Sequence, residues 1–116
     1  MVKKILIVED QIDIRDAVKI QLKKEGYKVT TAINAEECYK KWKSGKPDLV
    51  LMDIRMPGTP VKEIIPKMKN SKIIYLTAVG VSEAEREKLL KMENIVGFIE
   101  KPFSHKELME KIKEII

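Results

Sequence analysis

Three carboxylates, a hydroxyl and an amine in this chain each close a run of apolar residues. Ile5-Leu6-Ile7-Val8 leads into Glu9 and Asp10, Leu49-Val50-Leu51-Met52 into Asp53, Ile73 to Leu76 into Thr77, and Val96-Gly97-Phe98-Ile99-Glu100 into Lys101-Pro102. If these runs are neighbouring parallel strands, the groups converge at one edge of a sheet. Three carboxylates a few ångströms apart repel one another and require compensation. Mg²⁺ suits them, because it takes oxygen ligands and keeps several waters. With the Lys101 ammonium added, three positive charges face three negative ones. A carboxylate can attack a phosphoryl donor and become an acyl phosphate. At Asp53 such a group adds negative charge and three acceptor oxygens, which the metal, Lys101 and the Thr77 hydroxyl can share. Phosphoryl transfer mostly needs in-line positioning and charge neutralisation, and the cluster supplies both.

Taken singly, each residue has an ordinary structural role. An aspartate after a strand caps a turn or a helix, Lys-Pro is a turn, and a threonine after a strand caps backbone. The weight lies in several such residues falling at the ends of the right runs. His105, the sole histidine, falls at the start of the last helical pattern and reads as a solvated surface residue, so no Ser–His–Asp arrangement competes.

The elements that must position these groups alternate strand with helix, which predicts βαβ units and a parallel sheet. Strands are expected at Lys4–Val8, Lys28–Ala32, Asp48–Met52, Ile73–Leu76 and Val96–Ile99. The half-polar second strand fits a sheet edge. The first helix carries Ile14, Ala17, Val18 and Leu22 on one face, and Gly26 stands where a left-handed cap is wanted. Asn34 with Glu37, Ser82 with Glu85 and Ser104 with Glu107 have capping-box spacing for the second, fourth and fifth helices. The second helix is expected to run to Lys43, closed by Gly45 and Pro47. Thr59-Pro60 reads as the start of the third, which Pro66 should shorten or kink. The last helix should bury Leu108, Ile112 and Ile115. Five such units predict a doubly wound α/β sandwich, sheet order 2-1-3-4-5, with ligands bound beyond the strand ends at the switch point between strands one and three.

At 116 residues the chain is read as one domain, 1–116. No apolar run approaches the roughly 20 residues that span a bilayer, and no signal-peptide pattern opens the chain. The expectation is a cytoplasmic protein without a membrane partner. A single cysteine, Cys38, excludes an internal disulfide or zinc cluster and fits a core position. The net charge of +5 comes from 20 lysines against three arginines. Because the lysines are scattered beside glutamates with little aromatic interleaving, they read as solvated helix faces, and nucleic-acid binding is not expected.

The chain resembles a receiver domain of bacterial two-component response regulators, of flavodoxin-like fold, over essentially its whole length. The resemblance rests on Glu9-Asp10, Met52-Asp53-Ile54-Arg55-Met56-Pro57-Gly58, Leu76-Thr77-Ala78 and Gly97-Phe98-Ile99-Glu100-Lys101-Pro102-Phe103. It implies that Asp53 is the phosphoacceptor and Asp10 a direct Mg²⁺ ligand. Glu9 would act through water, and the backbone carbonyl of Arg55 would complete the protein ligands. Lys101 would pair with the phosphoryl group through its ammonium, its peptide bond to Pro102 would be cis, and Thr77 with Phe98 would form a switch pair. The donor would be a sensor histidine kinase or a phosphotransfer protein, docking around Ile12, Ile14, Arg15, Val18 and Phe103. The implied protein is a signalling phosphoacceptor, not a turnover enzyme, and is expected to be a monomer. The alternative is an intermediate phosphotransfer module in a multistep relay.

Other readings fit less well. An Asp-nucleophile phosphatase would carry a second Asp two residues after the nucleophile, where Arg55 stands. A fold-only interaction module would not need the intact acidic and basic set. A flavin protein would show a Ser/Thr/Gly-rich loop after the first strand. The chain is read as either a complete single-domain regulator or an excised receiver, and the last helix ending on Ile115-Ile116 without a polar linker tips the expectation toward the first. The chain departs from the family at Thr59-Pro60-Val61, where an Asp-Gly or similar pair is usual, and at Phe98, where tyrosine is common. The resemblance implies that Arg55 and Val79 occupy positions that in relatives tune hydrolysis of the acyl phosphate, where a bulky Val79 would shield it from water. Phosphorylated protein is therefore expected to keep its phosphate for a long time after removal of the donor. Rapid loss of the adduct, followed by intact mass, would refute this.

Overall fold

A computed structural model describes residues 2–53, 61–77 and 82–116, with the side chains of Val61, Lys62, Thr77, Glu85, Arg86 and Leu89 excepted. The expected start of the third helix at Thr59-Pro60 lies outside the described residues, as do Arg55 and Val79. Five strands, β1 (Lys4–Val8), β2 (Lys28–Ala32), β3 (Leu49–Asp53), β4 (Ile73–Thr77) and β5 (Ile95–Glu100), form one sheet. All neighbours pair in parallel, in the order β2-β1-β3-β4-β5. Between them run α1 (Ile12–Lys24), α2 (Ala35–Gly45), α3 (Val61–Ile64), α4 (Glu83–Leu90) and α5 (His105–Ile115). This is the doubly wound α/β arrangement expected from the alternation of patterns.

The central strands are continuous apolar runs because both faces of a parallel sheet are covered. Successive side chains go to opposite faces. Ile5, Ile7, Leu49, Leu51, Ile74 and Leu76 pack with Val18 and Leu22 of α1 and with Leu108 and Ile112 of α5. Leu6, Val8, Val50, Met52, Ile73 and Tyr75 pack with Cys38 of α2 and with Ile64, Ile65 and Met68. Cys38 is thus a core residue, its thiol pushed up to about 12 by burial, which leaves it inert as a nucleophile. Edge strand β2 exposes Lys28 and Thr30.

Local signals act largely as their chemistry dictates. Gly26 takes φ +95° just after α1, a conformation that costs glycine little. The Asn34 side chain accepts the Glu37 backbone N–H at 2.8 Å, and Ser104 with Glu107 makes the full reciprocal box. Ser82 immediately precedes α4. Pro66 has no N–H to continue a helix, so α3 ends at Ile64 and passes into a 3-10 turn at Ile65–Lys67.

Some boundaries differ from expectation. β3 begins at Leu49, because the Asp48 carboxylate turns to accept the Lys4 backbone N–H at 2.8 Å. The strand then extends through Asp53, which pairs with Leu76. β4 and β5 likewise run to Thr77 and Glu100. Helix α2 continues through Gly45, and Lys46, not the glycine, takes the left-handed cap at φ 45°. Ile115 is half-buried, while Met109 joins Leu108 and Ile112 in the core.

Replacing Ser104 by Ala removes a cap and should cost about 1 kcal/mol. Leu22→Ala opens a cavity in the α1 core and should cost roughly 2–5 kcal/mol. Urea unfolding of the two variants beside the parent chain checks both the values and their order.

Candidate functional site

Connections leave β1 and β3 toward opposite sides of the sheet, so their C-terminal ends border an open crevice. Glu9 follows β1 and its backbone N–H donates to the Ala32 carbonyl at 3.0 Å, extending the β1–β2 ladder by one residue. That bond holds the Glu9 side chain inside the protein, fully buried. Asp53 ends β3 and is also buried, while Asp10 is exposed. One carboxylate oxygen from each of Glu9, Asp10 and Asp53 lies within 4.8 Å of the others.

Lys101 crosses over the end of β4 to reach two of these acids. Its ammonium donates to Glu9 Oε2 at 3.0 Å and to Asp53 Oδ2 at 3.3 Å. Only 19% of the Lys101 side chain is exposed, so the pairs are weakly screened by solvent. The Lys101–Pro102 peptide bond is cis, as the family resemblance implied. The Gln11 backbone N–H donates to Glu9 Oε1 at 3.4 Å. Arg15 Nη1 donates to the Glu9 carbonyl at 3.2 Å, tying α1 to the end of β1.

Burial pushes the Glu9 carboxyl above its ordinary value; the Lys101 ammonium opposes this, and the negative charge of Asp53 adds to it. Among the described residues, three carboxylates here face one ammonium. The donors are all oxygen, the local charge is unbalanced, and Asp10 opens the cluster to solvent. Such a set fits a hard divalent cation of the Mg²⁺ type.

The other residues singled out in the sequence fall around this crevice. Thr77 closes β4 opposite Glu100 of β5; its side chain is outside the described residues. Phe98 is half-buried, and its ring stacks on Tyr75 with centroids 5.9 Å apart and planes at 21°. Ile14, Val18 and Phe103 line one groove of about 560 Å³ together with Lys101 and Pro102. Val18 forms part of its buried floor, and Ile12 stands exposed at the start of α1. Arg15 spends its guanidinium on the Glu9 carbonyl.

Two contributors were not legible in the sequence: Arg15 as a tie to Glu9, and Tyr75 as the ring beneath Phe98. Tyr75 is fully buried, its hydroxyl has no hydrogen-bond partner among the described residues, and burial pushes the phenol up. The alternation of β4 could have put residue 75 on the α2 face, but only the β4–β5 register sets it opposite Phe98.

A raised Glu9 pKa means that folding favours the protonated carboxyl. Its stabilisation is present below the unfolded value near 4.5 and is lost as pH climbs through the raised folded value. In metal-free buffer, Glu9→Gln should therefore have a higher urea midpoint than the parent at pH 7. That advantage should shrink on acidification below pH 4.5. Equal midpoints at neutral pH would show that Lys101 fully offsets the burial.

The match to known proteins agrees with this geometry. Residues 5–113 match the family model described as the response regulator receiver domain. The chain is 31% identical over 118 residues to the alkaline phosphatase synthesis transcriptional regulatory protein PhoP of Bacillus subtilis, covering 100% of this chain and 49% of that protein. It thus spans about half the length of that curated relative. Among solved structures, a response regulator receiver domain protein (CheY-like) from Methanospirillum hungatei is 33% identical with a TM-score of 0.89, covering 98% of this chain and 93% of that one. Vibrio cholerae chemotaxis protein CheY4, at 24% identity, shares the fold with a TM-score of 0.89 over the whole of both chains. With its sheet order, its acidic crevice and this family match, the chain belongs to the response regulator receiver domains of two-component systems.

Proposed function

We propose that Asp53 accepts a phosphoryl group from a phosphohistidine on a sensor kinase or phosphotransfer protein, in a Mg²⁺-dependent reaction. The observation that carries this reading is the Lys101 ammonium bridging Glu9 and Asp53 from two strands away. An Asp53 oxygen attacks phosphorus, the phosphorus–nitrogen bond of the donor breaks, and the imidazole leaves with the electron pair and takes up a proton. Lys101 lies where it can exchange part of its hold on Asp53 for a phosphoryl oxygen. Thr77, at the end of β4, supplies the hydroxyl for another.

Asp10 and Asp53 would hold Mg²⁺ directly and Glu9 through water, with the Arg55 carbonyl as a further ligand. When bound, the ion neutralises phosphoryl charge. The chain's own residues orient the nucleophile: the β3 ladder fixes Asp53, and buried Glu9 holds Lys101 in place. The partner would dock on the groove beside Lys101, over Ile14, Val18 and Phe103, with Ile12 at its rim. New charge at Asp53 would then shift Thr77 and Phe98 and alter the surface of β5. A switch from 1:99 to 99:1 would require phosphorylation to favour the active form by roughly 5.5 kcal/mol.

Incubation with acetyl phosphate and Mg²⁺ should add about 80 Da, one phosphoryl group, to the intact chain. Asp53→Asn should take up none, and chelation of the metal should abolish the adduct in the parent. Lys101→Ala should slow adduct formation by about 10²-fold, the order expected when one positioned charge is lost. A folded Asp53→Asn variant that gains the same mass would sink the assignment. Mg²⁺ should also raise the thermal midpoint of the parent but not that of Asp10→Asn.

A further inference from the structure

The α2–α3 side of the sheet carries lysines that the phosphoryl site does not use. Lys40, Lys43 and Lys46 follow one another at spacings of three, which places them along one side of α2 and its cap. Lys67 comes from the 3-10 turn and Lys69 from the loop after it. The side chains of Trp42, Lys43, Lys46 and Lys69 line a groove of about 370 Å³ between the end of α2 and that loop. Among the described residues no carboxylate forms an ion pair with Lys43, Lys46, Lys67 or Lys69.

The aromatic residues here are already committed. Tyr39 stacks on Trp42 at 5.8 Å, and the ammonium groups of Lys43 and Lys67 lie 5.4 and 6.0 Å from the Tyr39 ring centroid. The indole N–H of Trp42 donates to buried Ser71. Two residues on the groove, Lys46 at φ 45° and Asn70 at φ 65°, adopt the left-handed conformation, and they are its only non-glycine examples among the described residues. That conformation favours glycine, yet Gly45 sits one residue earlier and the cap falls on a lysine. Attraction to the C-terminal end of the α2 dipole accounts for Lys43 and Lys46 but leaves Lys67 and Lys69 without a role.

We infer that this lysine-lined groove beside Trp42 is a docking surface for an acidic, Asp/Glu-rich segment of a protein partner. Charge complementarity selects the occupant: Lys43, Lys46 and Lys69, none in an ion pair with a described carboxylate, line a concave site large enough for short carboxylate side chains. Single-stranded nucleic acid would need open aromatic faces for its bases, but the Tyr39 ring is occupied by Trp42 and two ammonium groups. The described groove residues also include no arginine, whose planar fork grips phosphate in pairs of bonds.

Trp42 is the only tryptophan, so its fluorescence reports on the groove directly. The intact chain is titrated with a short oligoglutamate peptide at fixed salt. The triple variant Lys43→Gln, Lys46→Gln, Lys69→Gln is compared with Lys19→Gln, Lys23→Gln, Lys113→Gln, which has the same net charge. The peptide should shift Trp42 emission in the parent and the control, and the groove triple should bind about tenfold more weakly. Lys46→Gly should raise the thermal midpoint by relieving the left-handed lysine, yet weaken peptide binding. Equal loss in both triples, unmoved Trp42 emission, or unchanged affinity in Lys46→Gly would overturn the inference. Tighter binding of a single-stranded oligonucleotide or of anionic vesicles than of the peptide would overturn it too.

Discussion

One ammonium group governs the arrangement of this molecule's acidic edge. Lys101 leaves the end of β5, passes β4, and meets Asp53 of β3 and Glu9 beyond β1. Neither carboxylate could stay buried without such a partner, because charge removed from water must be paired or neutralised. Even with Lys101 present, burial leaves the Glu9 carboxyl above its ordinary value. The cluster therefore retains a demand for further positive charge, which a hard divalent cation would meet.

The same strands that present the acids also connect them to the far side of the sheet. Asp53 pairs with Leu76, and the residue before Leu76, Tyr75, lies opposite Phe98 in the β4–β5 ladder. The two rings are stacked, and beneath them the Tyr75 hydroxyl is buried without a partner among the described residues. The route from Asp53 to Phe98 is short and contiguous. Geometry of this kind permits coupling, while its strength is an energetic quantity.

Charge is handled in opposite ways at two parts of the surface. At the strand ends, acids are gathered and partly compensated by one buried amine. At the end of α2 and the 3-10 turn, Lys43, Lys46, Lys67 and Lys69 are gathered, and none forms an ion pair with a described carboxylate. Left-handed Lys46 and Asn70 sit at the second place, so backbone strain and unbalanced charge coincide there.

The chain alone determined the alternation of strand and helix, the caps at Asn34 and Ser104, and the shortened helix before Pro66. Each follows from side-chain periodicity or from a local bond, and neither needs distant partners to act. It also determined which residues could meet at the acidic edge, because Glu9, Asp10, Asp53 and Lys101 each terminate an apolar run. The β3 boundary was missed by one residue because Asp48 bonds to Lys4, which is remote in sequence. Only the tertiary structure decided that Glu9 is wholly buried, that Arg15 braces its carbonyl, that Tyr75 lies under Phe98, and that α2 lysines meet Lys69 in one groove. Those facts depend on register and packing between elements, and contacts of that kind have no signature in local spacing.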